Sequence, residues 1–220
     1  MKIDISNLSV LFDDQIILDD ISCHFPEGKF SCLVGENGSG KSTLLRTLTK
    51  DIDKFQGSIT DLKSSDYSYI PQNIDDPEFL SVQEVVKLGF YQSKISDQDL
   101  NLQSHQLLKR FDIEHLESRR FSEISMGQKQ RAWLAFALAQ DKKVILMDEP
   151  LAAVDLQSRK NFYSILNTVS KENRTLVLVT HDLEIAMEFC EHMVHLHQGA
   201  ISFKGPSKTF SLLKLRLINV

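Results

Sequence analysis

Residues 35–42, Gly35-Glu36-Asn37-Gly38-Ser39-Gly40-Lys41-Ser42, follow the pattern G-x-x-x-x-G-K-S and end on a lysine and a hydroxyl. A glycine-rich loop of this kind folds back so that successive backbone N–H groups converge on an anion. Before it, Phe30-Ser31-Cys32-Leu33-Val34 suits a short buried strand; after it, Ser42-Thr43-Leu44-Leu45-Arg46-Thr47-Leu48 suits a helix whose N-terminus adds positive potential. Strand, glycine loop and helix in that order form the setting of a nucleotide phosphate-binding loop. Lys41 is placed to reach the β- and γ-phosphates as a point charge, and Ser42 to ligate the magnesium ion that bridges them. The stretch from Gly35 to Thr43 is the expected nucleotide-binding segment.

A second group of residues completes the chemistry. Val144-Ile145-Leu146-Met147 is continuously apolar, as a parallel strand covered on both faces requires, and runs into Asp148-Glu149; Leu176-Val177-Leu178-Val179 is a second such run, shortly followed by His181. Ligands bind at the C-terminal edge of parallel strands, so Asp148, Glu149 and His181 are expected to face the loop. Asp148 is the expected magnesium carboxylate. Glu149 is placed to orient and polarise an attacking water, and His181 to contact the γ-phosphate. The combination predicts hydrolysis as well as binding.

These residues need elements to position them. Short β-rich runs at Lys2–Ile5, Gln15–Leu18 and Ser22–Phe25, divided by Asp13-Asp14 and Pro26-Glu27-Gly28, predict a small N-terminal antiparallel sheet. Gly57–Thr60 and Tyr67–Ile70 read as further strands. From about Asn73 to Leu138 the pattern is helical: Ser81-Val82-Gln83-Glu84 is a capping box, Asp97 is the expected cap of a second helix, and Leu100, Leu107, Leu108 and Phe111 fall on one stripe. Ser125-Met126-Gly127-Gln128 fits a further capping box. Met193–His197 and Ala200–Phe203 predict a closing hairpin around Gln198-Gly199, and Ser207–Val220 a short terminal helix. His192, His195 and His197 have no cysteine or carboxylate at metal-site spacing and read as alternation on a surface hairpin.

The bulk properties agree with one cassette. At 220 residues the chain holds one sizeable core, and 42% hydrophobic with 25% charged residues is ordinary for a globular protein. A net charge of −5 without a basic stripe argues against a nucleic-acid partner. Three scattered cysteines suggest reduced thiols, not a disulfide framework. The most apolar stretch, Trp133–Ala139, is far short of the about 20 residues a membrane helix needs, and Met1–Asp4 does not open a signal peptide.

With these motifs in order, the chain resembles the nucleotide-binding subunits of the ATP-binding cassette family from end to end. Gly35–Ser42 match that family's Walker A motif, Gln72 its Q-loop, Ile124-Ser125-Met126-Gly127-Gln128 its signature, Val144–Glu149 its Walker B motif, Leu151–Asp155 its D-loop and His181 its switch histidine. The resemblance implies an α/β P-loop NTPase core of mixed sheet and helices, with a small antiparallel subdomain and an inserted helical subdomain at roughly 73–138. It implies that Phe12 stacks on adenine, that Gln72 touches magnesium or the attacking water, and that Asp155 lies at a dimer contact. It also implies a head-to-tail ATP sandwich of two copies, in which Ser125, Gly127 and Gln128 of one cover the γ-phosphate held by the other.

One position departs from the family pattern. The usual L-S-G-G-Q is here I-S-M-G-Q, and Met126 carries a side chain that either obstructs approach to the partner's nucleotide or points away. Phe12 stands for the commoner tyrosine and keeps the ring face. The expected function is the ATPase subunit of a membrane transporter, peripheral on the cytoplasmic face, with ATP and Mg2+ as cofactors. Separate integral membrane subunits, and a cargo-binding protein if it imports, are the implied partners. Residues 81–89 and 130–135 are similar to importers of iron-siderophore, haem, cobalamin, zinc or manganese type. The alternatives are a soluble cassette ATPase outside transport and a non-hydrolysing ATP-dependent module.

Overall fold

The computed structural model describes residues 1–13, 15–93, 95–151 and 154–210. Strands β1 (Ile3–Phe12) and β2 (Gln15–Phe25) pair antiparallel from Ile3↔Phe25 to Phe12↔Gln15. The sequence suggests two strands within β2, yet it is continuous. Asp20 takes a left-handed φ of 45°, its amide donates to Ser9 Oγ and its carboxylate accepts from Asn7, so the irregularity is absorbed as a bulge. β4 (Gln56–Ile59) joins the other edge of β1 and completes this three-stranded sheet.

The second sheet is the platform of the site. It runs β5-β6-β7-β3-β8-β9, with β5 (Tyr67–Ile70), β6 (Val144–Asp148), β7 (Thr175–Thr180), β3 (Phe30–Val34) and β8 (His192–His197) parallel and β9 (Ala200–Pro206) antiparallel at the edge. All residues of β3, β6 and β7 are buried, because both faces are covered. Alternate side chains serve two cores. Leu33, Leu146, Val177 and Val179 pack with the antiparallel sheet and with Leu44, Leu45 and Leu48 of α1 (Lys41–Leu48). Cys32, Ile145, Met147 and Leu178 face the core built on the remaining helices.

Those helices are α2 (Val82–Leu88), α3 (Asp97–Arg110), α4 (Met126–Ala139), α5 (Leu156–Ser170) and α6 (Leu183–Phe189). The capping boxes at Ser81 and Ser125 both form. The cap of α3 is Ser96 and not Asp97: the Ser96 hydroxyl accepts from the Asp99 amide and donates to its carboxylate, which leaves Asp97 as the first helical residue. Helix begins at Val82, later than the expected Asn73, and residues 73–80 are irregular around Pro77. The β8–β9 hairpin forms, but its histidines do not alternate on a surface. β8 is flanked by β3 and β9, so His192 and His195 are buried. At the end of the chain Ser207–Thr209 form one 3₁₀ turn, and the rest of the expected terminal helix lies outside the described residues.

Candidate active site

The loop from Gly35 to Gly40 joins β3 to α1 and is braced from below by the β8–β9 turn. The Gly199 amide donates to Ser39 O, and a Cβ on Gly35 would stand 2.2 Å from Leu196 O, so only glycine lets these backbones meet. Gly40 caps α1 at φ 102°, where a side chain would be strained, and no side chain bonds to the helix start. Helical bonding begins with Leu44 N–H to Gly40 O, which leaves the preceding amides free to point at a ligand.

Three charged groups converge there. Lys41 Nζ donates to the carbonyls of Gly35 and Glu36 at 2.9 and 2.8 Å and lies 3.4 Å from Glu149 Oε1. Ser42 Oγ donates to Asp148 Oδ1 at 3.2 Å. His181 Nδ1 lies 3.5 Å from Glu149 Oε2, so Glu149, only 11% exposed, sits between the ammonium and the imidazole. Burial, aided by neighbouring Glu149, raises the Asp148 carboxyl above its ordinary range, while the Ser42 hydrogen bond and Lys41 oppose the rise. Glu149 holds a left-handed φ of 42° with its amide donating to Val179 O on β7, a strained conformation of the kind found at catalytic positions.

Asn37, Gly38, Gly40, Lys41, Ser42, Thr43, Gln72 and Glu149 line one cavity of about 420 Å³. Ile17 of β2 lines it too, a residue the sequence marks only as part of a strand. Phe12 stands at the end of β1, 45% exposed. The signature residues are not brought to this cavity. Ser125, Gly127 and Gln128 line a separate one of about 250 Å³, with Leu151, Val154 and Phe162. Asp155 caps α5 by accepting from the Ser158 amide, and hydrogen bonding from the Ser158 side chain, then from that amide, holds its carboxyl below the ordinary range. Ala152 and Ala153 of the expected D-loop lie outside the described residues.

Met126 points away from the signature cavity. It is 46% exposed and lines a third cavity, of about 400 Å³, with Gln72, Lys129 and Trp133. A positioning pair that sequence reasoning missed is Arg159 and Asp182: Arg159 donates to Val154 O at 2.7 Å and to Asp182 Oδ2 at 3.2 Å, tying the segment before Asp155 to the segment after His181. The acidic residue directly after His181 and the arginine four residues after Asp155 were its only sequence signal.

The donor set fits nucleotide and metal. Ser39 Oγ is buried without a hydrogen-bond partner beside Gly35, inside the loop that an anion would fill. Ser42 and Asp148 offer an all-oxygen pair suited to a hard cation. Among the described residues, no cluster of three or more His, Cys, Asp or Glu side chains is arranged to hold a metal by itself.

A parallel sheet with a lysine-bearing glycine loop at its C-terminal edge, facing an acidic pair, defines a P-loop NTPase. The family model described as ABC transporter matches residues 18–152, and the chain belongs to that family. It is 32% identical over 215 residues to an achromobactin transport ATP-binding protein of Dickeya dadantii, covering 90% of this chain and 80% of that one. It is likewise 32% identical over 235 residues to a manganese transport system ATP-binding protein of Synechocystis, covering 99% and 89%. Among solved structures, a subunit of a Clostridium perfringens ABC transporter complex superposes with a TM-score of 0.86 at 26% identity, covering 99% of this chain and 94% of that one. A transporter assigned to the metal-chelate type, in an inward-facing conformation, gives 0.84 at 26% identity, covering 97% and 86%. The protein is thus an ATP-binding, ATP-hydrolysing subunit of an ABC transporter.

Proposed function

We propose that this chain powers import of a metal ion, a metal chelate or a similar small solute. It would act as one nucleotide-binding domain, with residues of roughly 73–138 as its helical subdomain. The cargo class follows the named roles of its relatives in achromobactin and manganese transport. Among the described residues no helix is long and apolar enough to cross a membrane. Its relatives are named ATP-binding proteins of transport systems, so in this reading integral membrane subunits carry the pathway, a cargo-binding protein delivers the solute, and this subunit works peripherally on the cytoplasmic face.

The observation that carries the reading is the Lys41–Glu149–His181 cluster beside the Ser42–Asp148 pair. When ATP arrives, Lys41 exchanges its loop carbonyls for phosphate oxygens, and the free amides at the start of α1 take the remaining negative charge. Ser42, Asp148 and Gln72 would hold Mg2+, which would supply neutralisation of the phosphate charge. Glu149, released from Lys41, orients water and accepts its proton, and His181 holds the terminal phosphate in line. Phe12 stacks on the adenine. Ser125, Gly127 and Gln128 come from a second copy arranged head to tail, with Asp155 at the contact.

Glu149→Gln tests this directly. The amide keeps the shape and cannot take the proton, so ATP binding should persist while hydrolysis falls about 10²- to 10⁴-fold. Turnover at the parental rate would remove Glu149 from the mechanism.

A further inference from the structure

We propose that Met126 is an oxidation site through which peroxides attenuate the ATPase; the proposal rests on the roles given above to Gln72 and the signature helix. The chain has five methionines. Met147 and Met193 are fully buried and Met1 and Met187 partly so, whereas Met126 is 46% exposed. Its thioether stands in the first turn of α4, in the cavity that also contains Gln72, Asp76, Lys129 and Trp133.

The sulfur lone pair attacks one peroxide oxygen. An S–O bond forms, the O–O bond breaks, and the departing hydroxide takes a proton to leave as water. Sulfur is oxidised by two electrons and hydrogen peroxide is reduced, giving methionine sulfoxide. The new oxygen is a strong acceptor on an apolar side chain, and it lies three residues before Lys129 on the same helix face. Lys129 Nζ now lies 2.5 Å from Asp76 Oδ2, only 13% exposed, and this pair ties the segment following Gln72 to the signature helix. A sulfoxide oxygen that shares Lys129 Nζ weakens its bond to Asp76 and loosens that tie between the segment following Gln72 and α4.

Purified protein treated with hydrogen peroxide and mapped by mass spectrometry should gain oxygen at Met126 about tenfold sooner than at Met147 or Met193. At full Met126 oxidation the ATPase rate should fall about two- to fivefold, the scale of one partly screened ion pair. Methionine sulfoxide reductases should restore it. Met126→Leu should hold its own rate through the same treatment. Trp133, the single tryptophan, lines the same cavity, so its emission should shift as wild-type Met126 is oxidised.

Oxidation of Met126 no sooner than Met147 and Met193 would overturn the proposal, as would an unchanged rate at full oxidation. An equal loss in Met126→Leu would place the damage elsewhere and overturn it too, and the reductase arm uses wild-type protein should that variant fold poorly. Untreated protein without ATPase activity would defeat the functional reading instead; mapping and Trp133 emission would then decide this one, an unshifted emission counting against it.

Discussion

The starts of α1 and α4 are two helix N-termini that the proposed mechanism aims at phosphate, and they are built in opposite ways. α1 follows Gly40 with no side-chain cap, so its first amides have no internal partner. α4 follows Ser125, whose hydroxyl accepts from the Gln128 amide at 3.4 Å while Gln128 Oε1 accepts from the Ser125 amide at 2.9 Å. One end awaits an anion; the other is satisfied by its own capping box. The difference suits a site whose nucleotide binds first at α1 and is covered later by a second copy. At 3.4 Å the Ser125 bond is at the long limit for a hydrogen bond and costs little to exchange.

The largest effects should come from breaking each end in turn. Lys41→Ala removes the ammonium beside Gly35, Glu36 and Glu149, and ATP affinity and hydrolysis should both collapse. Ser125→Arg fills the α4 start with a bulky cation, so it should keep ATP binding at α1 and lose hydrolysis. In the proposed head-to-tail pair, each homodimer then has two broken sites. Mixing the two proteins creates heterodimers with one intact site, formed from an unmutated loop and an unmutated α4. Nucleotide-dependent dimerisation should return, with partial hydrolysis if one site can work alone. Heterodimers that form but trap no ATP would rule out a shared site.

The two ends also differed in how far the sequence disclosed them. Gly35–Ser42 announces strand, loop and helix because its physics is local, and Ser125-x-x-Gln128 announces its cap for the same reason. Continuous apolar runs disclosed β6 and β7, hence the position of Asp148 and His181. Contacts across the fold were hidden. Nothing near Gly35 indicates that Leu196 and Gly199 brace it, and nothing at Glu149 foretells its positive φ or its bond to Val179. The histidines of β8 alternate as a surface strand would, yet tertiary context buries two of them. Burial lowers the His192 pKa to about 4, with the His24 ring tilted against it at a centroid distance of 5.1 Å and acting in the same direction. The path of Met126 into the Gln72 cavity was equally undecidable from a pattern that fixes its helix position but not its rotamer.

Glycine substitutions should sharpen the contrast at a smaller scale. A Cβ at Gly40 would lie 2.6 Å from Leu18 Cδ2 and 3.1 Å from Ile17 O, in a left-handed backbone. Gly40→Ala should therefore cost about 2–4 kcal/mol of stability through strain and clash, and weaken ATP binding. A Cβ at Gly127 would meet nothing nearer than 3.9 Å. Gly127→Ala should leave stability unchanged or raise it by up to about 1 kcal/mol, since alanine favours helix. Its hydrolysis should nevertheless fall if the proposed head-to-tail pair forms, because the added methyl group would face the partner's phosphate there. Thermal unfolding beside ATPase rates would separate the two outcomes, and equal stability losses would erase the distinction between the helix starts.

A final pair of substitutions tests what the Ser125 cap is for. Ser125→Ala removes the acceptor for the Gln128 amide and should cost about 1 kcal/mol, a shift of about 2–4 °C in Tm for a chain of this size. That loss alone would not reveal a role in binding phosphate. Ser125→Asp does, because aspartate caps helices as well as serine and complements the helix dipole, so stability should stay within about 0.5 kcal/mol of the parent. Its carboxylate would nonetheless meet the partner's γ-phosphate across the dimer. ATP should still bind at α1, while nucleotide-driven dimerisation and hydrolysis disappear, most completely at low salt where the repulsion is least screened. If Ser125→Asp dimerised and turned over like the parent, the α4 start would be a structural cap and nothing more.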